Sequence, residues 1–253
     1  MQRIGIIGVG EIGRALAEGL AGGDDPAEVF LSPRGAAAAA ELAARFPNVR
    51  VCASNQEVAG NADIVFAAMR KPDRREALEG VRFASGATVI NVMSGVSNED
   101  LRGIVGDDVD LVRAIPLPSV RERQCLTLAY PSHPVGNAVF ERLGGVLPVA
   151  AEADFDVYSA VTGTLTTHYA YLATLASWVA EQGIDPADAE RYVRGAFGDV
   201  GRSLGDGTRS LARLAADHET PGGNNERIRT TWFDEANAEA LKRALSGLLD
   251  DLR

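Results

Sequence analysis

The chain has 253 residues, 46% of them hydrophobic and 24% charged, with a formal net charge of −10. This length holds one large domain or two modest ones, each able to bury its own core. The acidity argues against a general binder of nucleic acid or of anionic membranes, and no apolar run is long enough to span a bilayer.

The two cysteines, Cys52 and Cys125, are far apart and lie in apolar runs without histidines at metal spacing, so no metal site is expected. The apolar start at Ile4 is interrupted at once by glycines, which does not read as a signal peptide. The default setting is therefore reducing and cytoplasmic.

In chain order, "RIGIIG" is a compact strand ending in glycine, and "GRALAEGLA" (Gly13–Ala21) has helical spacing with Leu16 and Leu20 on one face. "EVFLS" is a second strand and the alanine-rich "GAAAAAELAARF" a second helix. "VRVCAS", "ADIVFAAM", "ATVINVM", "DLVRAI" and "CLTLAY" supply further strands, with helical stretches between most of them. This alternation predicts an α/β, Rossmann-type, doubly wound and mostly parallel sheet.

After about Val149 the β-like alternation stops. The stretch from Phe155 reads as one long helical region ending at Gly183, apolar around much of its circumference. Asp185 and Pro186 begin another helix as N-cap and first helical residue. The tail carries Leu241, Leu245, Leu248 and Leu252 on one stripe. The expected division is a dinucleotide-binding domain over 1–152 and an all-helical domain over 153–253. Helices this apolar need partners on several sides, and a subunit interface would supply them.

"GVGEIG" ends the first strand and opens the first helix, the context that makes a glycine motif a dinucleotide fingerprint. Gly8 permits the tight turn, Gly10 lets a pyrophosphate approach the backbone, and Gly13 permits close packing of helix on strand. At the end of the second strand, NAD users place an acid for the ribose 2′-hydroxyl. Here the chain reads "FLSPRG", and Ser32 and Arg34 suit a 2′-phosphate instead. The expected cofactor is NADPH rather than NADH.

These motifs, taken with others, resemble the pyrroline-5-carboxylate reductase family along nearly the whole chain. The resemblance includes "IGIIGVGEIGRALAEGL", "SPRG", Asn55 in "SNQEVAGNADIVFAAMRKP", "VINVMSGVS", "VRAIP" and "TPGGNN". It implies a helical dimerisation domain, a homodimer, and hydride transfer from a nicotinamide to a cyclic imine acid to give proline. The active site would lie between the domains. It also implies cofactor contacts from Gly8, Gly10, Glu11, Ile12, Gly13, Ser32, Arg34, Asn55, Met69, Lys71 and Pro72.

The substrate half departs from the family. Leu117-Pro118-Ser119 stands where the family has Asn-Thr-Pro after Pro116, "TGTLTTHYAY" replaces "SGSGPAY", and Asn224-Asn225 replaces a threonine pair. Main-chain donors of Gly222, Gly223, Asn224 and Asn225, at a helix start, are candidates to hold a substrate carboxylate. Asn225 stands where the family's threonine meets the substrate nitrogen, and an amide can still accept or donate there. Thr162 and Thr164 are candidate pocket hydroxyls, although helical threonines often bond their own backbone. His168, one turn beyond Thr164, is a candidate acid, set against the commoner buried structural histidine. The expected activity is NADPH-dependent reduction of 1-pyrroline-5-carboxylate. A relative acting on another imine or carbonyl acid, or a non-catalytic NADP-binding sensor, remains open.

Overall fold

The computed structural model of the chain describes residues 2–253. They divide into two compact units, one running to Phe155 and the other Asp156–Arg253.

The first unit alternates strands and helices: β1 (Arg3–Ile7), α1 (Glu11–Ala21), β2 (Glu28–Leu31), α2 (Ala36–Arg45), β3 (Val49–Val51), α3 (Asn55–Asn61), β4 (Ile64–Ala67), α4 (Arg74–Leu78), β5 (Thr88–Asn91), α5 (Asn98–Val105), β6 (Asp110–Ile115), β7 (Thr127–Tyr130), α6 (Pro134–Glu141) and β8 (Val146–Pro148). They build one eight-stranded sheet in the order β3-β2-β1-β4-β5-β6-β7-β8. Every pairing is parallel except β6 with β7. Strand β8 was not foreseen: "VLP" is short, lies at the sheet edge and carries a proline, which weakens a strand pattern.

The central strands β1, β4 and β5 are buried on both faces, which is why they read as continuous apolar runs. One face of the sheet packs Leu16 and Leu20 of α1, Leu42 of α2 and Phe140 of α6. Phe140 meets Phe66 edge to face at 6.0 Å. The opposite face packs Val58 of α3, Leu78 of α4 and Leu101 of α5. Burying one such side chain contributes about 2 kcal/mol. The order reverses beside β1, as α1 and α3 lead to opposite sides. This places the β1–α1 loop at a topological switch point, the usual position for a ligand in such sheets.

The polypeptide leaves the sheet through a polar latch. Arg113 of β6 donates from Nη1 to Glu152 Oε1 at 3.0 Å, and its guanidinium lies 4.7 Å above the Phe155 ring. The same Glu152 oxygen accepts the Asn98 N–H at 2.9 Å. Asp154 Oδ2 accepts the N–H groups of Ala150 and Ala151, so the acids of this stretch cap and pair.

The helical elements that follow are α7 (Asp154–Thr162), α8 (Leu165–Glu181), α9 (Pro186–Ser203), α10 (Leu211–Asp217), α11 (Asn224–Thr231) and α12 (Glu235–Leu252). The single long helix expected from Phe155 to Gly183 is broken at Gly163–Thr164. A Cβ at Gly163 would lie 2.9 Å from Leu248 of α12, so the glycine serves a close helix approach. Asp185 caps α9 as expected, accepting from Ala187 and Asp188. The helical unit leaves large apolar side chains in the open. Tyr169, Tyr192 and Leu211 are each more than 70% exposed, and the leucine stripe of α12 is partly exposed as well.

Candidate functional site

The β1–α1 loop shows why each glycine is there. Gly8 has φ +101°, and a Cβ on it would come within 2.7 Å of the Ala68 and Met69 backbone. A Cβ on Gly13 would overlap the Gly8 carbonyl oxygen, so helix and strand could not close up. Gly10 is different: nothing lies within 4 Å of where its Cβ would stand. The ground beside Gly10, at the N-terminus of α1, is open to an anionic group. Local packing requires two of the glycines, and the third borders open space as a pyrophosphate site needs.

A cavity of about 240 Å³ opens there, lined by Gly8, Gly10, Ser32, Arg34, Asn55 and Met69 among others. The structure thus brings six of the expected cofactor residues to one hollow. Asn55 Nδ2 donates to the Ala77 carbonyl at 2.9 Å, which ties α3 to α4 and leaves its Oδ1 as an acceptor. Met69 packs half-buried on the sheet.

The other expected cofactor residues flank the hollow. Glu11 and Ile12 stand with Gly13 in the first two turns of α1, and Glu11 pairs with Arg121 at 2.5 Å. Lys71 and Pro72 lie in a 3₁₀ turn, with the exposed Lys71 chain reaching over Gly95.

Ser32 differs from the expectation in its immediate role. It is buried, and its Oγ accepts the Gly8 N–H at 2.9 Å. The hydroxyl first fixes the glycine loop to the end of β2; its own proton remains available to an acceptor in the cavity. Arg34 is exposed, and pairs with Asp73 at 3.3 Å and Glu76 at 3.8 Å. It is not a free cation, a point that sequence reasoning missed.

In the helical unit, Thr162 Oγ1 donates to the Ser159 carbonyl at 2.9 Å and Thr164 Oγ1 to the Val161 carbonyl at 2.8 Å. Both hydroxyl protons are spent on the backbone, leaving lone pairs only. His168 is exposed on α8, its ring 6.1 Å from that of Tyr169.

The glycines of "TPGGNN" are explained locally. Gly222 has φ +73°, and a Cβ on Gly223 would collide with Thr220. Their N–H groups are also engaged, Gly222 with Glu226 Oε2 at 2.5 Å and Gly223 with the Thr220 carbonyl at 2.8 Å. The N–H groups of Asn224 and Asn225, at the first turn of α11, have no partner among the described residues. The carboxylate donors expected over Gly222–Asn225 thus narrow to the two asparagines. Asn225 Nδ2 donates to the His218 carbonyl at 2.7 Å, so its free polar atom is Oδ1.

Among the described residues, no group of three or more His, Cys, Asp or Glu is placed to hold a metal ion, and no helix is long and apolar enough to cross a membrane.

A glycine-rich turn at the switch point of a doubly wound parallel sheet, facing a hollow with a hydroxyl and a guanidinium, defines a Rossmann-type dinucleotide-binding domain. A helical unit follows it. Residues 3–95 match the family model described as NADP oxidoreductase, coenzyme F420-dependent. Pyrroline-5-carboxylate reductase 2 of Bacillus subtilis (strain 168) is 22% identical over 251 residues, covering 93% of this chain and 90% of that protein. A pyrroline-5-carboxylate reductase from Coxiella burnetii superposes with a TM-score of 0.88 at 19% identity, over 99% of this chain and 97% of that one. The Plasmodium falciparum pyrroline carboxylate reductase with NADP bound gives a TM-score of 0.76 at 16% identity, over 99% and 97%. At these identities the structural likeness fixes the fold. The chain is pyrroline-5-carboxylate-reductase-like in sequence and in architecture.

Proposed function

We propose that the protein is an NADPH-dependent imine reductase that converts 1-pyrroline-5-carboxylate to L-proline by hydride transfer. The observation that carries this reading is the pairing, in one chain, of the glycine-loop hollow with a helical unit, matched end to end by the reductase from Coxiella burnetii. A bound nicotinamide would supply the hydride.

The residues of this chain would supply position and charge. Gly8, Gly10 and Gly13 with the α1 N-terminus hold the pyrophosphate. Glu11, Ile12, Met69, Lys71 and Pro72 border it, and Asn55 offers Oδ1 to a ribose hydroxyl. Arg34 and the free proton of Ser32 address the 2′-phosphate, which favours NADPH over NADH.

For the substrate, the open N–H groups of Asn224 and Asn225 suit a carboxylate at a helix start. Asn225 Oδ1 suits a protonated imine nitrogen, since the Nδ2 side is already tied to His218. The lone pairs of Thr162 and Thr164 suit the same N–H. His168, exposed on α8, is the residue of this set able to deliver a proton. The exposed apolar faces of the helical unit fit burial against a second copy, giving a homodimer. A cytoplasmic setting fits the reading.

One feature favours a second reading, a reductase of another imine or carbonyl acid. Asparagines stand where the family has threonines, and a fixed amide has a different size and reach. The test is a panel of cyclic and acyclic imine acids with NADPH. Fastest turnover of 1-pyrroline-5-carboxylate supports the first reading, and fastest turnover of another acid the second. NADPH binding with no turnover of any of them leaves a nucleotide-binding sensor.

A further inference from the structure

The rim of the nucleotide hollow carries charges that the glycine fingerprint does not foresee. Asp73 ends the 3₁₀ turn Lys71–Asp73 and lines the hollow, as do Arg34 and Arg70. Its Oδ2 accepts from Arg70 Nε at 2.9 Å and its Oδ1 from Arg34 Nη2 at 3.3 Å. Glu76 Oε2 lies 3.8 Å from Arg34 Nη1. The Asp73 side chain is only 16% exposed, against 59% for Arg34 and 80% for Arg70. The carboxylate is therefore the seated member of the cluster, and the guanidinium groups lean on it from outside.

Within this cluster of four the charges cancel. Arg34 and Arg70 bring two positive charges, and Asp73 and Glu76 two negative ones. The hydrogen bond from Arg70, with the charge of Arg34 adding to it, holds the Asp73 carboxyl below the usual carboxylate range. A 2′-phosphate is a concentrated anion that needs positive charge in excess. Here it must compete with Asp73 for the same two guanidinium groups. A ribose 2′-hydroxyl meets no such competitor, and can donate to a carboxylate.

We infer that Asp73 is a specificity-determining residue for the cofactor: it neutralises Arg34 and Arg70 at the rim and narrows the preference for the 2′-phosphorylated dinucleotide. Arg70 is then a second guanidinium for that phosphate, beside Arg34. The inference rests on reading the hollow as a nicotinamide dinucleotide site.

The decisive variant is Asp73→Asn, which keeps the shape and one acceptor oxygen, removes the charge, and turns the other contact into an amide N–H facing an arginine. Direct binding of NADPH and of NADH to the full chain is measured by titration calorimetry, without substrate. The expected result is NADPH binding tightened about 3- to 10-fold with NADH changed less than about twofold. The gain shrinks at high ionic strength. Arg70→Gln weakens NADPH about threefold or more and spares NADH. An unchanged NADPH-to-NADH ratio in Asp73→Asn, or one shifted toward NADH, overturns the inference. Thermal melting of each variant separates a binding change from a folding change. If the unaltered chain binds neither dinucleotide, the reading of the hollow fails and the inference falls with it. If it binds both and the variants leave the ratio alone, only the inference falls.

Discussion

The hydroxyl oxygen of buried Ser32, at the end of β2, accepts the backbone N–H of Gly8, at the end of β1, at 2.9 Å. One side chain thus fixes the shape of the glycine turn and stands at the β2 edge of the hollow. Ser32→Ala leaves the Gly8 N–H without a partner, at a cost of about 1–2 kcal/mol. The expected outcome is a lower melting temperature together with weaker NADPH binding, checked by calorimetry. A variant that melts like the parent but binds less NADPH would assign Ser32 to the ligand alone.

Gly13 and Gly10 separate packing from binding. Alanine at Gly13 meets the Gly8 carbonyl oxygen, and the fold has to shift. Destabilisation of about 2–3 kcal/mol is expected for Gly13→Ala. Alanine at Gly10 meets nothing, and its backbone is extended rather than left-handed. Gly10→Ala therefore stays within about 1 kcal/mol of the parent in stability and weakens dinucleotide binding by blocking close approach. Chemical denaturation and dinucleotide titration of both variants check the pair.

The fingerprint was legible because a strand, a glycine turn and a helix follow one another locally. The "TPGGNN" loop was legible as a helix start, but the roles of its glycines were not. Gly222 is needed for a positive φ and Gly223 for clearance of Thr220, which only the folded loop displays. The break at Gly163 was missed because the apolar period runs on through it. The glycine there gives clearance to Leu248, from an element 85 positions away in sequence. Asp73 was missed because "RKPDRR" reads as a solvated charge run. Its significance lies in Arg34, 39 positions earlier in sequence, which pairs with it at the hollow.

The Arg113–Glu152 pair, 12% and 25% exposed, carries the latch at the end of the sheet. Glu152→Gln keeps the shape but leaves Arg113 without its counter-charge, and Asn98 with a weaker acceptor. A loss of about 1–3 kcal/mol is expected, less than for a fully buried pair because water reaches Glu152. Urea denaturation followed by circular dichroism measures it, since both tryptophans, Trp178 and Trp232, lie in the helical unit.

The apolar surface of the helical unit predicts self-association. Leu165 and Tyr169 are 49% and 72% exposed, and lie one turn apart on α8. Because both are open in a single copy, Leu165→Glu with Tyr169→Glu is tolerated by the fold. Sedimentation velocity is expected to give a dimer for the parent and a monomer for the double variant. A parent that sediments as a monomer at micromolar concentration contradicts the dimer.

The most direct test is stoichiometric. Purified protein is mixed with NADPH and 1-pyrroline-5-carboxylate, and proline formed is quantified against reduced nicotinamide consumed. The account predicts one proline for each NADPH oxidised, with Asn225→Ala lowering kcat/KM by about tenfold or more as the imine partner is lost. NADPH binding without proline formation, at any enzyme concentration, would contradict it.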